Sequence, residues 1–166
     1  MLYNKPFYKG KNMLEIGDTA PEFTLLDQNG NSVTLNSFLS SKVLIWFYPK
    51  ASTPGCTAQG CSLRDDFEEL TNANIKILGI SMDSVKRQLN FATKQKYPYQ
   101  LLADTEGEVI RAYGVWGPKK FMGKEYDGIH RKSFLIDEEG KILHIFQKVK
   151  TKTHAKDVLE VLQSLN

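Results

Sequence analysis

Residues 43–70 constrain the fold of this 166-residue chain more than any other stretch. The first six of them are bulky and apolar and precede Pro49, and a run this short predicts a buried central strand rather than a helix. After Pro54 the apolar positions recur every three or four residues, which predicts a helix with Thr53 at its N-cap. Cys56 falls in the first turn of that helix, where free N–H groups and the helix dipole favour a thiolate.

The remaining patterns predict strands that alternate with helices. Two hairpins are expected, one from strands 23–26 and 33–35 and one from strands 133–137 and 141–146. Further strands are predicted at residues 75–81 and 101–103, and helices at 84–96, 106–113 and from about 153 onward. This order favours an α/β fold with a central mixed β-sheet and helices on both faces.

Helical spacing also predicts which side chains of the later helices face the core. These positions are Val85, Leu89 and Ala92, and near the C-terminus Ala155, Val158, Leu159, Leu162 and Leu165. Residues 114–128 are rich in glycine and lysine, and the sequence predicts a loop there.

Length and charge limit the classes of protein to which the chain can belong. Residues 13–166 are predicted to form a single domain, and residues 1–12 a loose N-terminal extension without a signal-peptide core. The 22 basic and 19 acidic residues are mixed along the chain, which argues against a nucleic-acid partner. No apolar run approaches 18 residues, so no membrane partner is predicted.

Cys56 and Cys61 are the two cysteines of the sequence. Disulfide-rich secreted domains contain more cysteines than this. The two cysteines and the three scattered histidines also lack the spacing of metal ligands. The sequence therefore predicts no metal and a reducing, cytoplasmic setting. On an intact helix their Cα atoms would be roughly 8.6 Å apart, beyond the limit of about 7 Å for a disulfide. Either the two never pair, or pairing requires the first helical turns to unwind.

The helical positions distinguish the two sulfurs. Cys56 shares the apolar stripe of Leu63, whereas Cys61 shares the opposite face with Asp65 and is predicted to point towards solvent. By position alone, Cys56 is also compatible with an inert buried cysteine. Gly60 lies between them, and two interpretations are open: a weak point where the helix opens, or close packing against the central strand.

The chain resembles the peroxiredoxins, and within them the bacterioferritin comigratory protein or peroxiredoxin Q group. The resemblance rests on Pro49-x-x-x-Thr53-x-x-Cys56 within FYPKASTPGCT. Three flanking stretches occur in the same order: IGDTAPEFTLLDQNG, ILGISMDS and GIHRKSFLIDEEG. It covers about residues 13–166 and implies a thioredoxin-like fold without a cofactor. The implied activity is thiol-dependent reduction of hydrogen peroxide and organic hydroperoxides.

The resemblance also implies roles for five residues. Cys56 is expected to be the peroxidatic cysteine, Thr53 the hydroxyl that orients thiolate and peroxide, and Pro49 a shield against water. Arg131 matches the arginine of a conserved family motif, and Cys61 the resolving cysteine of members that carry it in the same helix. An intramolecular disulfide, reduction by thioredoxin or a similar dithiol, and a monomeric state are further expectations from this resemblance.

Other interpretations of the same residues stay open at this point. Arg131 is compatible with a structural ion pair and Thr53 with a simple helix cap. Gln59 departs from the glutamate that is common in the group, so a charge network taken from relatives does not transfer. A peroxide-sensing thiol switch, or a binding or holdase protein that uses residues 115–126 as its surface, would share the fold.

Overall fold

The computed structural model describes residues 13–165, and the predicted extension at residues 1–12 lies outside them. The strands are β1 (Thr24–Asp27), β2 (Ser32–Thr34), β3 (Lys42–Phe47), β4 (Ile75–Ser81), β5 (Gln100–Ala103), β6 (Trp116–Phe121), β7 (Lys124–Ile129), β8 (Ser133–Ile136) and β9 (Ile142–Phe146). The α-helices are α1 (Pro54–Asp65), α2 (Phe67–Asn72), α3 (Val85–Gln95), α4 (Glu108–Ala112) and α5 (His154–Ser164), with short 3-10 helices at Leu35–Phe38 and Thr151–Thr153. Within the described residues, every helix is too short or too polar to cross a bilayer.

Seven of these strands form one mixed sheet in the order β2-β1-β5-β4-β3-β8-β9. Strand β3 pairs in parallel with β4 and antiparallel with β8, and β4 pairs in parallel with β5. The outer pairs are antiparallel, including the two hairpins β1–β2 and β8–β9 that the sequence predicts. The predicted α/β architecture with a central mixed sheet is confirmed.

Strand β3 explains why its whole sequence is apolar. The alternate residues Val43, Ile45 and Phe47 belong to a core cluster that includes α4, and Leu44 and Trp46 belong to a second cluster on the other face. The second cluster includes residues of α1, α2, α3 and α5. Because both faces of β3 are covered by helices, each of its side chains from 43 to 47 is fully buried.

The helix that the sequence predicts after Pro54 is divided into two. Helix α1 ends at Asp65, Asp66 leaves the helical conformation with φ −105° and ψ 21°, and α2 begins at Phe67. Leu63 and Leu70 are both fully buried, as expected, and Phe67 is half-buried. Because the spacing of the apolar residues continues across Asp66, the sequence pattern did not reveal that the helix breaks there.

The buried face of α3 differs from the predicted one. Leu89 is 41% exposed and Val85 half-buried, whereas Gln88 is fully buried. The Gln88 amide accepts a hydrogen bond from the Tyr48 hydroxyl at 2.5 Å and donates to the Leu102 carbonyl at 2.8 Å. A polar side chain can occupy a core position when its donors and acceptors are paired, and a pattern of apolar residues misses such a position.

The predicted core face of α5 packs against the second core cluster up to Leu162, and its fully buried residues lie in the first half of the helix. Ala155 and Val158 are buried, Leu159 and Leu162 are half-buried, and Leu165 is 49% exposed. At the first residue, the His154 Nε2 atom lies 2.8 Å from the Ser133 hydroxyl of β8. Burial lowers the pKa of His154 to about 4, so the imidazole is neutral at pH 7.

Residues 114–128, predicted as a loop, form nearly all of the hairpin β6–β7, which ends at Ile129. Its two strands pair antiparallel from Trp116↔Ile129 to Phe121↔Lys124. Met122 and Gly123 turn the chain with φ values of 51° and 80°, typical of a two-residue hairpin turn. Most side chains of the hairpin are exposed, so it lacks the alternation of apolar and polar residues by which a strand is recognised.

The difference in burial between Leu63 and Leu89 gives a stability prediction. Leu63→Ala removes a fully buried side chain from α1 and should lower the free energy of unfolding by about 2–5 kcal/mol. Leu89→Ala makes the same chemical change at an exposed helical position and should stay within about 0.5 kcal/mol of the parent. Urea denaturation followed by circular dichroism measures both values. Equal losses in the two variants would contradict the burial described here.

Candidate active site

Cys56 lies where the exit of β3 meets the start of α1. Thr53 is the N-cap of α1 and Pro54 its first residue, so Cys56 falls in the first turn, as predicted. Its side chain is fully buried and belongs to the same core cluster as Trp46. The sulfur is a free thiol sheltered from solvent beside the positive end of a helix.

The Thr53 hydroxyl is not a helix cap. It donates a hydrogen bond to the Lys50 carbonyl at 2.7 Å, and it accepts no N–H of α1. A hydroxyl whose proton is engaged in this way keeps its oxygen lone pairs as acceptors. The first turn of α1 thus keeps N–H groups that its N-cap side chain leaves unpaired.

Arg131 contacts the sulfur of Cys56. One guanidinium nitrogen, Nη2, lies 3.5 Å from Cys56 Sγ, and Nη1 donates to Gln59 Oε1 at 2.8 Å. Arg131 precedes β8, and β8 pairs with β3, with Trp46 opposite Ser133. The pairing of these two strands brings together residues that are 75 positions apart in the sequence.

Gln59 holds the guanidinium without neutralising it. The residue lies one turn after Cys56 and is fully buried. Because arginine has only donors, the amide oxygen must face it, which turns Nε2 towards the interior. No group in the described part of the chain accepts a hydrogen bond from Nε2. Within residues 13–165 the partners of Arg131 are therefore a sulfur and an amide rather than a carboxylate.

Two further residues shape this environment. A side chain at Gly55 would begin 3.0 Å from Arg131 Nη2, so the glycine leaves room for the guanidinium. Lys119 of β6 donates from Nζ to the Ile129 carbonyl at 2.9 Å. Burial lowers the pKa of Lys119, and the charge of Arg131 lowers it further. The hairpin β6–β7 therefore adds a second cationic group near the site.

Cys61 does not point into solvent as predicted. It is half-buried, with its sulfur 3.6 Å from Gln95 Oε1 and 4.0 Å from the Tyr97 hydroxyl. Gln95 ends α3 and Tyr97 follows it, so the segment after α3 covers this side of α1. On the opposite face of α1, Cys61 is therefore partly covered, whereas Asp65 is exposed.

The structure brings together some of the predicted site residues but not all of them. Cys56 and Arg131 are in contact, and Thr53 is the N-cap of the helix whose first turn contains Cys56. Pro49 is half-buried just beyond the end of β3. The sequence interpretation did not assign a role to Gly55 or to the contact of Gln59 with Arg131. Gln59 lies three residues after Cys56 on the same helical face, and this spacing could have indicated that Gln59 belongs to the site.

Comparison with known proteins identifies the family. The model of the AhpC/TSA family matches residues 16–145. The chain belongs to this family. It is 51% identical over 152 residues to peroxiredoxin Bcp of Escherichia coli K12, a match that covers 92% of this chain and 97% of the relative. Peroxiredoxin Bcp of Bacillus subtilis is 39% identical and is covered to 98%.

Solved structures agree with this assignment. The chain is similar to peroxidoxin BcpB of Mycobacterium tuberculosis, with 34% identity, a TM-score of 0.81 and coverage of 92% of this chain and 99% of that one. Peroxiredoxin Q of Xanthomonas campestris gives 38% identity and the same TM-score, with coverage of 87% and 92%. The chain is a peroxiredoxin of the Bcp and peroxiredoxin Q group, and its thioredoxin-like fold is confirmed. As a peroxiredoxin it is a thiol peroxidase, an oxidoreductase.

The neutral partner of Arg131 gives a prediction for this peroxiredoxin. Gln59→Glu would place a carboxylate against the guanidinium and near the Cys56 sulfur, which disfavours a thiolate. In a Cys61→Ser background, the rate of Cys56 alkylation by iodoacetamide at pH 6 should fall by roughly three- to tenfold. Gln163→Glu changes the net charge equally on the exposed side of α5 and should leave the rate unchanged. An unchanged or faster rate in Gln59→Glu would contradict this role of the amide.

Proposed function

We propose that the chain reduces hydrogen peroxide and organic hydroperoxides, with Cys56 as the peroxidatic cysteine. The observation that supports this assignment most directly is the contact of Arg131 with a buried sulfur at a helix N-terminus. A guanidinium and free N–H groups both favour the thiolate, which is the nucleophilic form of cysteine. The thiolate attacks one peroxide oxygen, the O–O bond breaks, and the other oxygen leaves as water or an alcohol once protonated. Cys56 becomes a sulfenic acid.

The other residues of the site act on the charge that develops along the O–O bond. The lone pairs of the Thr53 hydroxyl accept the peroxide O–H, because its own proton is directed to the Lys50 carbonyl. Arg131 and the N–H of Cys56 donate to the oxygens as negative charge moves onto the leaving one. Pro49, which has no N–H to hydrate, excludes water from the approach to the sulfur. Donors aimed at the transition state, rather than thiolate content alone, supply most of the acceleration.

Cys61 acts as the resolving cysteine in this proposal. Its thiol condenses with the sulfenic acid of Cys56, a disulfide forms and one water molecule leaves. The two residues lie five positions apart in α1, so the first turns of the helix must open before the sulfurs meet. A dithiol such as thioredoxin then exchanges with the disulfide and restores both thiols.

The proposed setting follows from this chemistry. A resolving cysteine within the same chain makes a partner subunit unnecessary, and we infer a monomer. Two free cysteines and a need for a dithiol reductant fit a reducing, cytoplasmic compartment. The proposed cycle requires no cofactor, because the electrons pass from the dithiol reductant through the two cysteines to the peroxide.

Mass spectrometry tests the cycle in one experiment. After one equivalent of hydrogen peroxide, the intact chain should lose two hydrogens and keep the mobility of a monomer. The Cys61→Ser variant should instead gain one oxygen. The mass of the Cys56→Ser variant should not change. A covalent dimer, or a stable one-oxygen product in the parent chain, would contradict the internal disulfide.

A second measurement separates the peroxidase from a peroxide sensor. With thioredoxin, thioredoxin reductase and peroxide present, the parent chain should sustain NADPH oxidation, and Cys56→Ser should not. A sensor would be oxidised at Cys56 without turnover. Formation of the disulfide without NADPH consumption would therefore favour the sensor or a reductant other than thioredoxin.

A further inference from the structure

Two tyrosines hold the part of α1 that separates the two cysteines. The Tyr97 hydroxyl donates to the Thr57 carbonyl at 3.2 Å, and the Tyr99 hydroxyl donates to the Gly60 carbonyl at 2.7 Å. The two rings stack with centroids 5.1 Å apart and an angle of 14° between their planes. Both tyrosines come from the segment that connects α3 to β5. They therefore attach α1 to a part of the fold that does not need to move during catalysis.

Gly60 permits this attachment. A side-chain carbon at residue 60 would overlap the hydroxyl and ring of Tyr97. The glycine is thus required by a close approach, although the neighbour is Tyr97 rather than the central strand. Gly60 is therefore more than a weak point of the helix, because it leaves room for the Tyr97 side chain that stabilises the folded helix.

The burial of the two rings makes the attachment costly to release. Tyr97 is 7% and Tyr99 6% exposed. Burial raises the pKa of both hydroxyls, so each remains a protonated donor at physiological pH. When α1 opens, the carbonyls leave and the hydroxyls lose their acceptors in a site with little water. An unpaired buried donor is unfavourable, so both bonds resist opening.

We propose that Tyr97 and Tyr99 form a latch on α1 that sets the rate at which Cys56 and Cys61 join. The proposal rests on the proposed role of Cys61 as resolving cysteine. While the two tyrosines hold α1 folded, the sulfenic acid of Cys56 cannot reach Cys61. A second peroxide can then oxidise it to a sulfinic acid with release of water or an alcohol. Opening the latch lets the Cys61 thiol condense with the sulfenic acid and release water. The two tyrosines thereby determine the division between turnover and irreversible oxidation.

Removing each hydroxyl tests the latch. Tyr97→Phe and Tyr99→Phe keep the rings, and each deletes one hydrogen bond to an α1 carbonyl; Tyr97→Phe also removes the 4.0 Å contact with Cys61 Sγ. Disulfide formation should accelerate roughly two- to tenfold relative to sulfenic acid formation in both variants. Tyr113→Phe is the matched control, because its hydroxyl donates to the Pro21 carbonyl at 2.7 Å, away from α1. Rapid-quench mass spectrometry resolves the two steps. The sulfinic fraction after excess peroxide should fall in the two latch variants and stay at the parent value in the control.

Hydrogen exchange gives a readout that does not depend on peroxide chemistry. In the reduced chain, the amides of residues 57–61 should exchange faster in Tyr97→Phe and Tyr99→Phe than in the parent or in Tyr113→Phe. If the parent forms the internal disulfide but all three variants match it in resolution rate and exchange, the latch is wrong and the proposed function stands. If the parent forms no disulfide between Cys56 and Cys61, the resolving role fails and the latch fails with it.

Discussion

The contact between the guanidinium of Arg131 and the sulfur of Cys56 is the interaction on which the site depends. It exists because β3 and β8 pair side by side, which brings Arg131, two positions before β8, to the start of α1. Gln59 fixes the guanidinium from the helix side while leaving its charge intact.

The same helix has two opposing requirements. In the proposed cycle, α1 must remain folded for its N-terminus to face the thiolate of Cys56, and it must open for Cys61 to reach the sulfenic acid. The break at Asp66 makes α1 a short unit of its own, so the opening does not have to extend through α2. The tyrosine contacts on its middle carbonyls oppose that opening. If the proposed cycle operates, its timing depends on packing around α1 as much as on the reactivity of the sulfur.

Most of the sheet and the position of Cys56 in the first turn of α1 could be predicted from the sequence, because β3, β4 and α1 have strong local signals. Residues whose place depends on distant contacts could not. Gln88 is buried through paired hydrogen bonds, Cys61 is covered by the segment after α3, and the hairpin β6–β7 has few buried side chains. The proximity of Arg131 to Cys56 followed from a family resemblance, since only strand pairing joins them.

The most direct test of the account is the rate of sulfenic acid formation at Cys56. Stopped-flow fluorescence can follow it in a Cys61→Ser background, because Trp46 lies in the same core cluster as Cys56. Arg131→Met should slow the reaction with hydrogen peroxide by roughly 10²–10³-fold, the effect of losing one donor to developing charge. Lys132→Met removes the same charge from the adjacent residue and should leave the rate nearly unchanged. Equal rates in the parent and in Arg131→Met would contradict the account.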